Sequence, residues 1–335
     1  MAHLDDRGQI ILVAAFALAV IFVAMALIVN SAIFTENLAS RGETAGSEGA
    51  LSMRADVAAG VGAGVEAANR NNHSSDSALT DAVRTSVGDI SLQTGRQSAR
   101  SGRVVDVAYQ SSRSGERIYQ SDGTAFSNET GTAAYVVAAG VSRVDGANGT
   151  RAFEIEADTI SATDNSTAFE IRAQESGLTS GNENSWRARV WNVTGSDTVH
   201  VRTLKNDGGS TVVEDCEVTK DSPGPAVTID VTGGTIDGEG CDALATAPDG
   251  ESFHFSAGTG VGTTGSYDLS FANADKISGD FSLVVHDDGL LSLPSLGPSL
   301  ESSPALYDVT VRYTHYTADL RYETDVRVAP GEPDV

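Results

Sequence analysis

Ile10 to Val29, IILVAAFALAVIFVAMALIV, is a run of twenty residues without one polar side chain. At the α-helical rise of about 1.5 Å per residue it is about 30 Å long, matching the hydrocarbon core of a bilayer. Arg7, Gly8 and Gln9 precede it, and a long acidic, Gly- and Thr-rich sequence follows. A secretory signal has an apolar region of only about 7–15 residues before a small-residue cleavage site. This run is longer and continues into Asn30-Ser31-Ala32-Ile33-Phe34, so the apolar segment is expected to be retained. Lipid contact through residues 10–29 is therefore the first expectation, with the remainder of the chain outside the cell. Ala15 and Ala19 form one small-xxx-small pair, through which two such helices approach closely.

Charge narrows the partners. Acids outnumber bases by 46 to 22, for a net charge of −24, and only Lys205, Lys220 and Lys276 among the bases are lysines. Nucleic acid and anionic membrane surfaces call for clustered cations, so neither is expected as a partner. An acid excess with scarce lysine suits a salt-loving source, where a Debye length of about 3 Å at molar salt screens self-repulsion; an acidic secreted protein is the plainer alternative. Cys216 and Cys241 are the only cysteines. Outside the cell an even count favours a disulfide, and closing a loop of about 26 residues contributes roughly 3.5 kcal/mol in the chain-entropy description. Asn-x-Ser/Thr sequons stand at Asn72, Asn128, Asn148, Asn165 and Asn192, candidates for surface glycosylation.

Beyond the apolar run, Phe34 and Leu38, then Val57, Val61, Val65 and Ala68, recur at helical spacing. Six glycines from Gly42 to Gly64 interrupt this pattern, each costing about 1 kcal/mol in a helix interior, so kinks or a break near 42–49 are expected. A second helix, capped by Asp76 or Ser77, carries Leu79, Ala82, Val83, Val87 and Ile90 on one face. From Arg103 the period changes to two. Strands are expected at 104–109, 117–120, 134–141, 151–158, 168–173, 187–193, 198–204, 212–219, 226–231, 252–255, 267–271, 281–286, 307–316 and 320–328. In the last pair Val309, Val311 and Tyr313 share one face, Leu320, Tyr322 and Val326 share another, and Thr317 with its neighbours is short enough for a tight turn. Spacing of this kind argues for a sandwich or meander, with a division near 176–185 or 290–304 left open.

At the N-terminus the residues support a resemblance. Arg7-Gly8 followed by Gln9 and the apolar run resembles the site cut by archaeal prepilin peptidases, and Asn30 to Glu43, NSAIFTENLASRGE, is similar to haloarchaeal type IV pilin-like surface proteins of unknown function. The resemblance covers about 35 residues, Arg7 to Glu43. It implies cleavage after Gly8, with Gln9 as mature N-terminus; an uncleaved signal anchor is the alternative. Bacterial-type major pilins carry Glu at the fifth mature position, where this chain has Val13. That departure suits a minor, tip or non-assembling protein better than a bulk filament subunit.

Few constellations suggest chemistry. Gly260-Val-Gly262-Thr-Thr-Gly265 fits a dinucleotide fingerprint by letter but lies among expected strands. His73, His200, His254, His286 and His315 show no local metal-ligand spacing. The acidic groups at Asp215, Glu217 and Asp221, at Asp237 and Glu239, and at Asp287 and Asp288 offer calcium-type oxygens, with a solvated acidic surface the plainer reading. Neither enzyme, cofactor nor metal is expected. Trp186 and Trp191 are the only tryptophans. Alternation places Trp191 with Arg187 and Arg189 on one face and Trp186 with Ala188 and Val190 on the other; core packing of one tryptophan is the plainer expectation, and a surface recognition patch the sharper alternative.

The expected architecture is α+β and pilin-like. Its parts are a leader (1–8), a transmembrane and assembly helix (9–30), a helical stem (31–102), a large antiparallel β head (103–329) and a tail (330–335). The expected role is filament assembly or adhesion at the cell surface, with a prepilin peptidase and other pilin-like subunits as partners. A solitary anchored adhesin is the alternative, and an anchored enzyme a distant third.

Overall fold

Valines four residues apart on one stripe draw residues 47–70 into the first helix (α1), which runs unbroken through Gly60, Gly62 and Gly64. A computed structural model of the chain describes residues 47–331 apart from 72, 74, 128–130, 143, 145–148, 177–184, 194–196, 207–210, 220–225, 245–265 and 294–298, together with Phe22 and Met25, which are helical and exposed. The second helix (α2, Asp76–Ala99) is capped by Ser75, one residue earlier than expected, whose hydroxyl accepts from the Ala78 N–H at 3.3 Å. Between the helices Gly64 meets the side chain of Ser86 closely enough that no Cβ fits without movement. Its glycine is a contact, not a break.

Fourteen strands follow: β1 (Val104–Gln120), β2 (Tyr135–Ser142), β3 (Thr150–Ile160), β4 (Phe169–Glu175), β5 (Ser185–Asn192), β6 (Thr198–Asn206), β7 (Thr211–Thr219), β8 (Val227–Asp230), β9 (Thr235–Ile236), β10 (Glu239–Gly240), β11 (Ser266–Ala272), β12 (Ile277–His286), β13 (Glu301–Tyr316) and β14 (Arg321–Val328). They form an eight-stranded sheet in the order β10-β9-β8-β3-β12-β1-β13-β14 and a six-stranded sheet in the order β2-β11-β4-β5-β6-β7. All the strand pairs are antiparallel. The expected strands 104–109 and 117–120 are two ends of β1, and 252–255 lies outside the described residues.

Proline explains one boundary. Pro304 suggests a loop, yet β13 begins at Glu301, because β14 pairs only with Val309–Tyr316 and leaves the stretch holding Pro304 with β1 alone as neighbour. A residue without an N–H is tolerated on such an edge.

The alternating apolar residues of the two sheets meet in one core. Phe126, Phe153, Phe169, Phe271 and Phe281 cluster there, with adjacent ring centroids as close as 4.9 Å, and Trp186 is fully enclosed beside them. Neither of the divisions left open by the spacing separates the sheets, since β4 and β5 pair directly and β12 and β13 flank β1.

The expected fold class is overturned at its first half. Among the described residues the two helices do not form a separate stem. Both helices lie on the far side of the eight-stranded sheet, where Val57, Val61, Val65, Leu79, Val83 and Val87 share a core with Val105, Val107, Val309, Val311, Tyr313, Val326 and Val328. That end of the sheet is apolar on the helix side and polar on the other, where Arg312 pairs with Asp325, and its apolar face must be covered. The described chain is a predominantly antiparallel β-sandwich with a helical hairpin as third layer. No described helix is long and apolar enough to cross a membrane; apart from Phe22 and Met25, the segment 10–29 lies outside the described residues. The described part of the tail, Pro330 and Gly331, is tied to β3. Pro330 O accepts from Arg151 at 2.6 Å, and Gly331 O accepts from the Ala152 N–H at 2.7 Å.

Candidate functional site

Strands β4 to β7 form a meander whose inner positions, among them Phe169, Ile171, Trp186, Ala188, Val190, Val199 and Val201, fill the core. Alternation sends Glu170, Arg172, Arg187, Arg189, Trp191, His200, Arg202, Asp215 and Glu217 to the opposite, solvent-facing side. Register then decides who meets whom. Glu170 stands across from Arg189, Arg172 from Arg187, Arg189 from Arg202, Trp191 from His200, Arg202 from Asp215 and His200 from Glu217.

Glu170 organises this face. Its side chain is 5% exposed, and its two oxygens are taken by different arginines: Oε1 accepts from Arg172 Nε at 3.0 Å, and Oε2 from Arg189 Nε at 2.8 Å. Burial pushes the carboxyl upward, and the hydrogen bonds from Arg189 and Arg172 outweigh it, holding Glu170 below its ordinary value. Arg187 is moved the other way. Burial lowers it, Glu170 opposes, and Arg172 and Arg189 add to the lowering. Arg202 is gripped by Asp215 at 2.5 and 3.0 Å, which raises its pKa. Trp191 and His200 stack in parallel, 5.2 Å apart at 8°, with the Arg202 guanidinium 6.0 Å from the tryptophan ring. His200 Nδ1 lies 3.5 Å from Glu217. Four guanidiniums meet three carboxylates here, in a chain whose acids outnumber its bases twofold.

The two tryptophans lie on opposite faces as the alternation indicated, and one is in the core: Trp186 is buried, and Trp191 shares the outer face with Arg187 and Arg189. Glu170, Arg172 and His200 were not legible as partners, because they belong to neighbouring strands whose register the chain alone does not disclose. The parity of Glu170 and Arg172 beside buried Phe169 and Ile171 was the available signal.

A second concavity of about 430 Å³ lies where the end of α1 meets β1, β3 and β12. Arg151 sits fully buried at its base and is spent on the chain itself, donating to the carbonyls of Tyr307, Leu306 and Pro330. Glu154 in its wall is pushed up by burial and by the nearby Asp230 and Glu156. Among the described residues no group of three His, Cys, Asp or Glu is placed to hold a metal ion. The acidic turns are occupied locally. Asp287 and Asp288 accept from the N–H groups of Gly289 and Leu290, Asp237 from Thr228, and Asp215 from Arg202.

Cys216 and Cys241 are bonded, their Cα atoms 5.5 Å apart. The link ties β7, at one margin of the six-stranded sheet, to the segment after β10 in the other sheet, so it staples the sandwich at one end. Arg7, Gly8, Gln9, Ala15, Ala19, Asn72, Asn128, Asn148 and the glycine motif 260–265 lie outside the described residues. Of the sequon asparagines Asn165 and Asn192 are described: the N–H of Asn192 donates to Ala162 O at 3.0 Å, three residues before Asn165. Both asparagines are half-buried.

Fold and face together define a disulfide-stapled antiparallel β-sandwich with a helical hairpin layer and an arginine–aromatic outer face. Over residues 4–169, which take in the apolar segment, both helices and β1 to β3, the chain is similar to a family of unknown function, DUF7261. No curated protein and no solved structure matches it.

Proposed function

We propose that the protein is a cell-surface recognition protein, held to the membrane through residues 10–29 with the sandwich displayed outside, and adhesive in role. The observation that carries this reading is the outward face built on Glu170, where four arginines and a stacked Trp191–His200 pair gather in an otherwise acidic chain. Exposed Arg and Trp dominate binding energy where proteins meet partners. The disulfide adds support, since such bonds persist in oxidising compartments. The pilin-like stretch Arg7–Glu43 adds a route to the surface, with processing after Gly8. Val13, where assembling pilins carry a charge, favours a protein that acts singly over a bulk filament subunit.

Cell fractionation with external protease treatment tests the placement. The expected result is a membrane-bound protein cleaved from outside intact cells, with Gln9 as its N-terminus by mass spectrometry. Recovery in the cytosol, or as a secreted form lacking residues 10–29, overturns it. Recovery in sheared filaments, instead of the membrane, replaces adhesion with assembly.

A further inference from the structure

We infer that the outer face of the six-stranded sheet binds an acidic polysaccharide, its carboxylate or sulfate groups taken by Arg172, Arg187 and Arg189 and a sugar ring packed on Trp191. The inference deepens the surface-recognition reading and rests on it.

Three features of the face converge. First, Glu170 is enclosed and its two oxygens point to different arginines, so one buried carboxylate sets the planes of two guanidiniums in advance. Guanidinium groups are forks that pair with planar oxyanions through two parallel hydrogen bonds, and a fork already oriented loses less freedom on binding. Second, Arg187 stands across from Arg172 and two residues from Arg189, so three guanidiniums gather around Glu170. Burial and these two cationic neighbours disfavour the Arg187 charge in the free protein, a cost that an incoming anion relieves. Third, Arg187, Arg189 and Trp191 occupy alternate positions of one strand, which at about 3.4 Å per residue span about 14 Å. An isolated ion would use one end of such a row; a chain of sugars uses its length.

The spacing of charge selects the polymer. Duplex nucleic acid presents one negative charge per about 1.7 Å. Glu170, Asp215 and Glu217 are interleaved with the arginines and would repel so dense an array. A polysaccharide with one acid per sugar places its charges farther apart and offers apolar ring faces between them. Aromatic rings such as Trp191, held flat by the parallel His200, suit those faces.

The test uses the full chain in detergent micelles, with polygalacturonate as the acidic probe, dextran as the neutral one and single-stranded DNA as the dense polyanion, followed by calorimetry at graded salt. Binding to polygalacturonate alone is expected, weakening as salt rises. Arg187→Glu and Trp191→Ala are each expected to weaken it at least tenfold, and Arg187→Lys to restore only part, with circular dichroism confirming the fold. Equal binding of dextran, tighter binding of DNA, unchanged binding by both variants, or self-association through this face in place of polysaccharide binding overturns the inference. Fractionation of cells carrying Arg187→Glu keeps the two readings apart. A protein still at the surface that has lost or never had polysaccharide binding leaves placement intact, and one absent from the surface refutes placement whatever it binds.

Discussion

Asn69 lies in the last turn of the first helix and finishes a strand it does not belong to. Its amide Nδ2 donates to Leu306 O at 3.0 Å, and its Oδ1 accepts from the Leu306 N–H at 2.9 Å, beside the register shift between Arg113 and Ser114. A buried backbone group without a partner costs about 1–3 kcal/mol. Asn69→Ala is therefore expected to lower unfolding stability by about 2–4 kcal/mol in urea titration, and a loss under 0.5 kcal/mol would show that water replaces the amide. His315 is a second residue with a defined liability. It is 1% exposed, 3.0 Å from the Tyr313 hydroxyl, which itself donates to Ala50 O in α1. Burial, then the Arg103 charge, lowers its pKa below 6.5. The unfolded chain thus binds a proton that the folded one refuses. Stability from this group is complete above about pH 6.5 and declines as pH falls toward the lowered value. Unfolding midpoints measured from pH 8 to 5 should show that decline in the wild type and a flatter profile in His315→Gln.

Helix α1 shows why glycine misleads when only its propensity is considered. Three glycines in five residues read as a weak helix, yet each one faces a neighbour: Gly60 meets Ile90, Gly62 meets Val328 and Pro330, and Gly64 meets Ser86. Packing recovers what propensity loses. The contrast with Gly88 of α2, which has open space around it, fixes the sign of two substitutions. Gly88→Ala is expected to stabilise by about 1 kcal/mol, the ordinary helix preference. Gly64→Ala is expected to destabilise by about 1–2 kcal/mol despite that preference, because the new methyl meets Ser86. Adding Ser86→Ala should recover most of the loss in the double variant, and a Gly64→Ala variant more stable than wild type would remove the close approach from the account. The strands were easier to foresee. Alternation located nearly all of the described strands, and the pair β13–β14 with its turn, where the Thr317 N–H donates to Leu320 O at 2.9 Å, emerged with its buried face correct. The two-residue strands β9 and β10 were missed, being too short to carry a period.

For the molecule as a whole, the disulfide is the cross-link that two sheets in one sandwich require at an end, beyond the grip of the phenylalanine cluster. Replacing both Cys216 and Cys241 with serine is expected to lower stability by roughly 3.5 kcal/mol, the loop-closure value, read as a reduced midpoint in denaturant that matches wild type under reductant. What the amino-acid order determined by itself is local: the apolar run 10–29, the two helical stripes, the strand periods, the two cysteines free to pair, and the parity that put Trp186 and Trp191 on opposite faces. Each depends on residues a few positions apart. Only the tertiary structure decided that the helices cover the eight-stranded sheet instead of standing as a stem, and that Glu170 gathers Arg172 and Arg189 beside a Trp191–His200 stack. Those outcomes depend on strand register and on which apolar face finds which, interactions between residues far apart in the chain. A period of two declares that a strand has two faces, and long-range packing chooses what each face meets.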